Sequence, residues 1–135
     1  MQAYALTDTG RVRSMNQDYI YASPETVGSL PNLFLVSDGM GGHQAGDYAS
    51  RYAVENLVVY LTRKKEGAPV PLLSEGIREI NTGLYSESLN REELNGMGCT
   101  LVAAVVDDGI LYAANIGDSR LYLMKYTNST DSPPF

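Results

Sequence analysis

The most informative stretch of the sequence is Leu33-Phe34-Leu35-Val36-Ser37-Asp38-Gly39, in which four consecutive apolar residues run into a Ser-Asp-Gly turn signal. An apolar run of this length, closed by turn residues, is typical of a buried strand. A glycine-rich loop then extends from Gly39 to Gly46. We therefore predict a buried strand that stops abruptly at a flexible, glycine-rich loop.

Two helices are predicted after this loop. From Asp47 onward the apolar residues Ala49, Tyr52, Ala53, Leu57, Tyr60 and Leu61 fall on one helical face, and Gly67 follows the basic residues at its end. A second helix is predicted over about residues 71–89, because Leu73, Ile77, Ile80 and Leu84 recur at three- and four-residue spacings. Gly76 and Gly83 weaken this second pattern.

Runs of β-forming residues stand on both sides of the helices. Strands are predicted at residues 1–7, 18–22, 99–106, 110–116 and 121–126, and Asp107-Asp108-Gly109 joins two of them into a hairpin. Strands, then helices, then hairpin strands predict an α+β domain whose helices cover an antiparallel sheet. A doubly wound parallel sheet is the alternative. Residues 127–135 lack periodicity and are predicted to be a disordered tail or an artificial end, outside a domain at residues 1–126.

The composition excludes several classes of protein. The chain has 135 residues, which fits one domain, and its 16 acidic and 10 basic residues give a net charge of −6, which argues against nucleic acid as a partner. No apolar stretch approaches the roughly 20 residues that cross a bilayer, so no membrane association is expected. With a single cysteine, Cys99, and no apolar signal core at the N-terminus, we expect a cytoplasmic location.

The glycine-rich loop does not match a nucleotide-binding fingerprint. The spacing that begins at Gly39 and Gly41 would need a third glycine where Gln44 stands, and no Gly-Lys-Ser/Thr sequence follows. The carboxylate of Asp38 at the strand end would also repel a phosphate unless a cation intervened. A cation site is therefore the better interpretation of this loop.

Three aspartates stand at or beside predicted strand ends: Asp18, Asp38 and Asp118. Carboxylates at loop mouths bind hard divalent cations, so their convergence would make a metal site. The alternative is that Asp beside Gly only terminates strands, which is common. The spacing of the residues leaves both interpretations open.

Four segments of the chain, taken together, closely resemble the bacterial branch of the metal-dependent protein phosphatases, the protein phosphatase 2C family. They are Gly10 to Asp18, Val36 to His43 with Gly46, Gly98-Cys99-Thr100, and Asn115 to Arg120. The resemblance covers about residues 3–126. It implies a four-layer α/β/β/α sandwich of two antiparallel sheets flanked by helices, truncated here at the C-terminal side. Resembling proteins continue for nearly as much chain again and carry two further aspartates there.

The resemblance also implies roles for particular residues. Asp38 corresponds to the carboxylate that bridges two Mn²⁺ or Mg²⁺ ions, and the backbone carbonyl of Gly39 to a ligand of one of them. Asp18 corresponds to an acidic position that holds the cluster, often through water. Asp118 resembles the residue that serves a weaker third ion, and Arg13 the arginine that grips the substrate phosphate.

Three side chains have alternative interpretations. Arg13 has the planar fork that can hold two phosphoryl oxygens, yet arginines are mostly ordinary surface residues. His43 is the only histidine, which excludes a histidine-rich zinc site. It is a candidate general acid, or a structural or water-binding residue at the helix entry. Cys99 is interpreted as a small buried residue, since a thiol phosphatase would need Arg where Val105 stands.

The implied function is dephosphorylation of phosphoserine and phosphothreonine proteins, including a partner serine/threonine kinase, by a metal-activated water. Because the later aspartates are absent, the chain is expected to be an incomplete, weakly active or inactive portion of such an enzyme. The alternative is a non-catalytic phosphoprotein-binding or interaction module.

Overall fold

The computed structural model describes residues 1–42 and 44–124 of the chain. This part is α+β, with one five-stranded antiparallel sheet and two long helices. The strands are β1 (Asp18–Ser23), β2 (Leu33–Met40), β3 (Gly98–Cys99), β4 (Leu101–Asp107) and β5 (Ile110–Ile116), and the helices are α1 (Ala45–Thr62) and α2 (Pro69–Asn90). A short 3₁₀ turn at Glu92–Leu94 leads from α2 into β3.

The sheet has the strand order β1-β2-β4-β5, and β3 pairs with the end of β2. Every strand pair in the described part is antiparallel, so the predicted antiparallel sheet is confirmed and the doubly wound alternative is wrong. The strand predicted from the apolar run at Leu33 is the central β2, which pairs with three other strands. Its C-terminal end is therefore held on both sides.

Side chains of β2 alternate between the two faces of the sheet. Leu33, Leu35 and Ser37 are buried on the face that α1 covers, whereas Val36 and Asp38 on the other face are exposed. Helix α2 packs on α1, so both helices lie on the same side of the sheet. The core between sheet and helices includes the fully buried side chains of Leu30, Leu33, Leu35, Val54, Leu57, Leu61 and Val105. This is one sheet layer and one helical layer of the predicted sandwich.

The structure corrects some predicted elements. Residues 1–7 are not a strand, because no other strand pairs with them, and Tyr4 and Leu6 are each 91% exposed. The strand predicted at residues 121–126 is not present at residues 121–124, which are irregular and do not extend the sheet beyond β5. Residues 125–126 and the predicted tail at 127–135 lie outside the described residues. Both helices begin two residues earlier than predicted, and α2 starts at Pro69, whose missing N–H costs nothing at a helix start. Neither helix is long and apolar enough to cross a bilayer.

Candidate metal centre

The strands β1 and β2 place two carboxylates opposite each other. Asp18 and Asp38 are directly paired at the end of the β1–β2 ladder, and both residues are exposed. Partial burial raises the pKa of Asp18, and Asp38 raises it further through its negative charge and a hydrogen bond. The arrangement therefore concentrates negative charge at one end of the sheet, where a cation would relieve the repulsion.

The backbone on either side of this pair is tightly fixed. The Gly39 N–H donates to the carbonyl oxygen of Gln17 at 3.0 Å, and the Ser50 hydroxyl donates to the same oxygen at 2.6 Å. A Cβ atom at Gly39 would overlap the carbonyl oxygen of Gly46, so only glycine allows the end of β2 to lie this close to the start of α1. These contacts join the segment before β1, the end of β2 and the first turns of α1.

Asp18 is aligned by the residues that precede it. The side-chain oxygen of Asn16 accepts a hydrogen bond from the Asp18 N–H at 3.0 Å. The Asn16 amide in turn donates to the Thr7 hydroxyl at 2.7 Å. The irregular N-terminal segment therefore has a role, since it fixes the residue from which β1 and its carboxylate begin.

Asp38 is aligned from the opposite side by Thr100. The Asp38 N–H donates to the Thr100 hydroxyl oxygen at 3.0 Å, and the Thr100 N–H donates to the Asp38 carbonyl at 2.8 Å. The Ser37 hydroxyl donates to the Thr100 carbonyl at 2.6 Å. The main chain at Asp38 is thus fixed by both backbone and hydroxyl groups.

The two carboxylates open into a cleft of about 430 Å³. The cleft is lined by Asp8, Thr9, Arg13, Met15, Asn16, Gln17, Asp18, Asp38, Gly39, Met40 and Gly41. The structure therefore brings together four of the residues identified from the sequence: Arg13, Asp18, Asp38 and Gly39. An exposed guanidinium beside two carboxylates can hold an anion next to a cation site.

Asp118 and His43 are the two remaining candidates. Asp118 is exposed two residues after the end of β5 and does not line the cleft. His43 lies outside the described residues. Within residues 1–42 and 44–124, no group of three His, Cys, Asp or Glu side chains could hold a metal ion. Asp18, Asp38 and one carbonyl would leave most of the six or more oxygen ligands of a hard cation to other groups or water.

Cys99 lies in β3 opposite Gly39 and is partly buried. Burial raises the pKa of its thiol, which outweighs the opposing effect of a hydrogen bond with Ser37. A thiol with a raised pKa is a poor nucleophile at neutral pH. The interpretation of Cys99 as a small packing residue is consistent with this environment.

Sequence reasoning did not identify three residues that position the site: Asn16, Thr100 and Ser119. Asn16 and Thr100 form hydrogen bonds to the Asp18 and Asp38 backbones, and the Ser119 hydroxyl lies 2.6 Å from that of Thr100. Each stands within one of the four recognised segments. Their places in these segments were the only signal in the sequence. A hydrogen bond from a hydroxyl or amide side chain to another strand depends on the register, which the sequence does not show.

Known proteins with similar sequences share this region. The protein phosphatase 2C family model matches residues 9–133. The serine/threonine phosphatase stp of Listeria monocytogenes is 37% identical over 134 residues, which is 93% of this chain and 50% of that protein. The serine/threonine protein phosphatase PstP of Mycobacterium tuberculosis is 33% identical over 121 residues, 90% of this chain and 22% of PstP.

Solved structures have the same fold. The serine/threonine phosphatase Stp1 from Staphylococcus aureus matches 85% of this chain and 46% of its own, with a TM-score of 0.75 and 33% identity. The catalytic domain of PstP in complex with two manganese ions matches 84% of this chain and 46% of its own, with a TM-score of 0.71 and 32% identity. The chain spans about half the length of the Listeria relative. Because the family model matches residues 9–133, which is most of the chain and includes β1 and β2, the chain belongs to the protein phosphatase 2C family.

Proposed function

We propose that this chain supplies the Asp18, Asp38 and Arg13 side of a metal-dependent serine/threonine protein phosphatase site. The observation that carries the proposal is the direct pairing of Asp18 with Asp38 at the end of the β1–β2 ladder, in a cleft that Arg13 also lines. The relatives named above are serine/threonine phosphatases, which supports the same reaction class.

The donor set suits a hard cation, because it consists of carboxylate and carbonyl oxygens. Asp38 would bridge two Mn²⁺ or Mg²⁺ ions, the Gly39 carbonyl would bind one of them, and Asp18 would hold the cluster through water. Asp118 would serve a weaker third ion. When bound, such ions acidify a water and offset charge on the phosphoryl oxygens. The two manganese ions in the related PstP catalytic domain support this assignment.

Arg13 would bind the substrate phosphate. Its guanidinium is planar and always charged, so it can donate to two phosphoryl oxygens at once, which a lysine ammonium cannot do in a fixed geometry. Its place on the wall of the carboxylate cleft supports this role. His43 is proposed as the general acid that gives a proton to the leaving serine or threonine oxygen, or otherwise as a structural residue at the entry to α1.

We also propose that the chain alone is a poor or inactive catalyst. Two opposing carboxylates and one carbonyl cannot fix two cations in the geometry that an in-line attack needs. A non-catalytic phosphoprotein-binding module is the second candidate, and the absence of a three-residue metal group from the described ranges favours it.

The proposed substrates are phosphoserine and phosphothreonine proteins, with a partner serine/threonine kinase among them, in cytoplasmic signalling. The names of the relatives support the substrate class. The exposed position of the cleft is also suited to a macromolecular substrate, since its carboxylates are not enclosed.

The test is hydrolysis of p-nitrophenyl phosphate and a phosphothreonine peptide in excess Mn²⁺. Two proteins are compared: this chain, and this chain joined to the C-terminal half of the Listeria relative. We expect substantial turnover only from the joined protein, lost at least about 100-fold in Asp38→Asn and kept in Asp107→Asn. Peptide binding without turnover in both proteins would favour the module. Robust turnover from the monomeric, unjoined chain would contradict the incompleteness of the metal site.

A further inference from the structure

The side chain of Thr100 lies between the two segments that carry Asp38 and Asp118. Its hydroxyl oxygen accepts a hydrogen bond from the Asp38 N–H at 3.0 Å and is 2.6 Å from the Ser119 hydroxyl. A hydroxyl can donate one hydrogen bond and accept two, so both contacts are compatible with a single conformation. Thr100 therefore touches the backbone of one proposed metal ligand and the residue next to another.

The contact at Asp38 replaces part of the normal ladder. The register that pairs Gly39 with Cys99 and Val36 with Val102 places Thr100 opposite Asp38. The Thr100 N–H donates to the Asp38 carbonyl, as in a regular ladder. In the other direction, however, the Asp38 N–H donates to the Thr100 hydroxyl. The backbone hydrogen bond from the Thr100 N–H to the Asp38 carbonyl does not need the Thr100 hydroxyl. The Asp38 N–H, in contrast, has this hydroxyl as its acceptor.

A second hydroxyl completes the replacement. The Thr100 carbonyl, which the Asp38 N–H would otherwise reach, accepts a hydrogen bond from the Ser37 hydroxyl at 2.6 Å. Ser37 is fully buried under the helices, so this hydroxyl has no competing solvent. The two hydroxyls thus fix the main chain on the N-terminal side of the Asp38 Cα, and the Thr100 N–H holds the Asp38 carbonyl on the other side. Together these contacts restrict the direction of the carboxylate.

The segment after β5 is shaped to meet Thr100. Gly117 has φ +89°, and a Cβ atom there would lie 2.8 Å from the Thr100 methyl carbon. The Ser119 carbonyl accepts a hydrogen bond from the Asn115 side chain at 2.9 Å, which holds the turn closed. The turn that contains Asp118 is therefore held at Ser119, by Asn115 through the carbonyl and by Thr100 through the hydroxyl.

We propose that Thr100 is a positioning residue for the metal centre. Its hydroxyl holds the Asp38 main chain and, through Ser119, ties the turn that contains Asp118 to the Asp18–Asp38 pair. The proposal rests on the proposed function, because it assumes that Asp38 binds the metal. Residues that orient metal ligands typically change metal affinity about 10- to 100-fold when they are removed.

The test compares Thr100→Val, which removes the hydroxyl at constant shape, with Thr100→Ser, which keeps it. Mn²⁺ binding is measured on the 135-residue chain from the loss of the free-ion electron paramagnetic resonance signal, and exchange of the Asp38 amide is measured by NMR. Thr82→Val is the matched control, because its hydroxyl bonds only within the exposed face of α2. We expect Thr100→Val to weaken Mn²⁺ binding about tenfold or more and to speed Asp38 exchange, while Thr100→Ser restores both.

The outcomes separate the two proposals. If Asp38→Asn weakens Mn²⁺ binding but Thr100→Val binds as the parent does, the positioning role is overturned and the proposed function stands. If Asp38→Asn has no effect on Mn²⁺ binding, the proposed function fails, and the role of Thr100 with it. If Thr100→Val does not fold by circular dichroism, Ser119→Ala replaces it, and parental Mn²⁺ affinity in that variant overturns the proposal.

Discussion

Replacing Asp18 with Asn removes one of two like charges that β1 and β2 hold opposite each other. Directly opposed residues in an antiparallel pair have Cβ atoms about 5 Å apart. Two unit charges at about 5 Å repel each other by about 0.8 kcal/mol in water. Because both residues are exposed, the dielectric constant of water applies, and side-chain movement and ionic screening reduce the repulsion further. We expect the free energy of unfolding to rise by about 0.5 kcal/mol at pH 7 and low salt. The gain should shrink in 1 M NaCl, where charges are screened within about 3 Å.

The same substitution predicts a pH dependence. The pKa of Asp18 is raised above its ordinary value of 3.8 in the folded chain. At pH values between the unfolded pKa and the higher folded pKa, the folded parent binds more protons than the unfolded chain. Its free energy of unfolding therefore falls as the pH rises through that window. The loss is complete above the folded pKa, and Asn has no such titration. The advantage of Asp18→Asn is therefore expected at neutral pH and absent below about pH 3.8.

Saturating Mn²⁺ should make the parent chain more stable than Asp18→Asn, the reverse of the order expected without metal. A metal that binds only the folded parent stabilises it by mass action, and Asp18→Asn should gain less because it lacks one of the carboxylates around the ion. The assay is urea denaturation at pH 7, with and without millimolar Mn²⁺. Asp107→Asn is the charge-matched control, since Asp107 ends β4 at the opposite end of the sheet. The account is refuted if Asp18→Asn is no more stable than Asp107→Asn without metal, or if Mn²⁺ leaves the order unchanged.

Three further substitutions test the fold and the cleft. Gly39→Ala should lower the free energy of unfolding by about 3 kcal/mol or more in urea denaturation, because its Cβ would overlap a backbone carbonyl. The control Gly42→Ala, whose Cβ would meet no described atom, should lower it by less than about 1 kcal/mol. Leu57→Ala should lower the free energy of unfolding by about 2–5 kcal/mol in the same assay, because the leucine side chain is fully buried. The control Val59→Ala should lower it much less, because Val59 is 46% exposed. In the joined, catalytically complete protein, Arg13→Ala should raise KM for a phosphopeptide about 10-fold or more while Mn²⁺ affinity stays parental; unchanged KM and kcat in steady-state kinetics would make Arg13 a surface residue.

The sequence was most informative where one local signal was strong. The apolar run from Leu33 correctly predicted the buried strand β2, and the helical spacing after Asp47 predicted α1. The Ser-Asp-Gly signal did not end the strand as predicted, because β2 continues through it to Met40 and is paired there by β1 and β3. The order of elements was enough to predict an antiparallel sheet under helices. These features depend on the period of apolar residues and on turn chemistry, which are local properties of the chain.

Contacts between distant segments could not be predicted in this way. The opposition of Asp18 and Asp38 depends on the exact β1–β2 register. Their places at strand ends made convergence one of two interpretations, and the resemblance favoured it, but neither predicted the register. Gly83 is another example. In the sequence it only weakens the α2 pattern, but in the structure a Cβ atom there would overlap the Tyr52 hydroxyl, so glycine allows α2 to pack closely on α1. The predicted strand at residues 1–7 failed because β propensity cannot supply a pairing partner.

The most direct test of the metal centre is a calorimetric titration of Mn²⁺ into the parent chain, Asp38→Asn and Asp107→Asn. Asp38 is the one carboxylate that the proposed function places between two cations, so its loss should weaken binding more than any other single change. We expect Asp38→Asn to bind Mn²⁺ at least about tenfold more weakly than the parent, and Asp107→Asn to match the parent. Equal affinity in the parent and Asp38→Asn would contradict the assignment of this cleft as a metal centre.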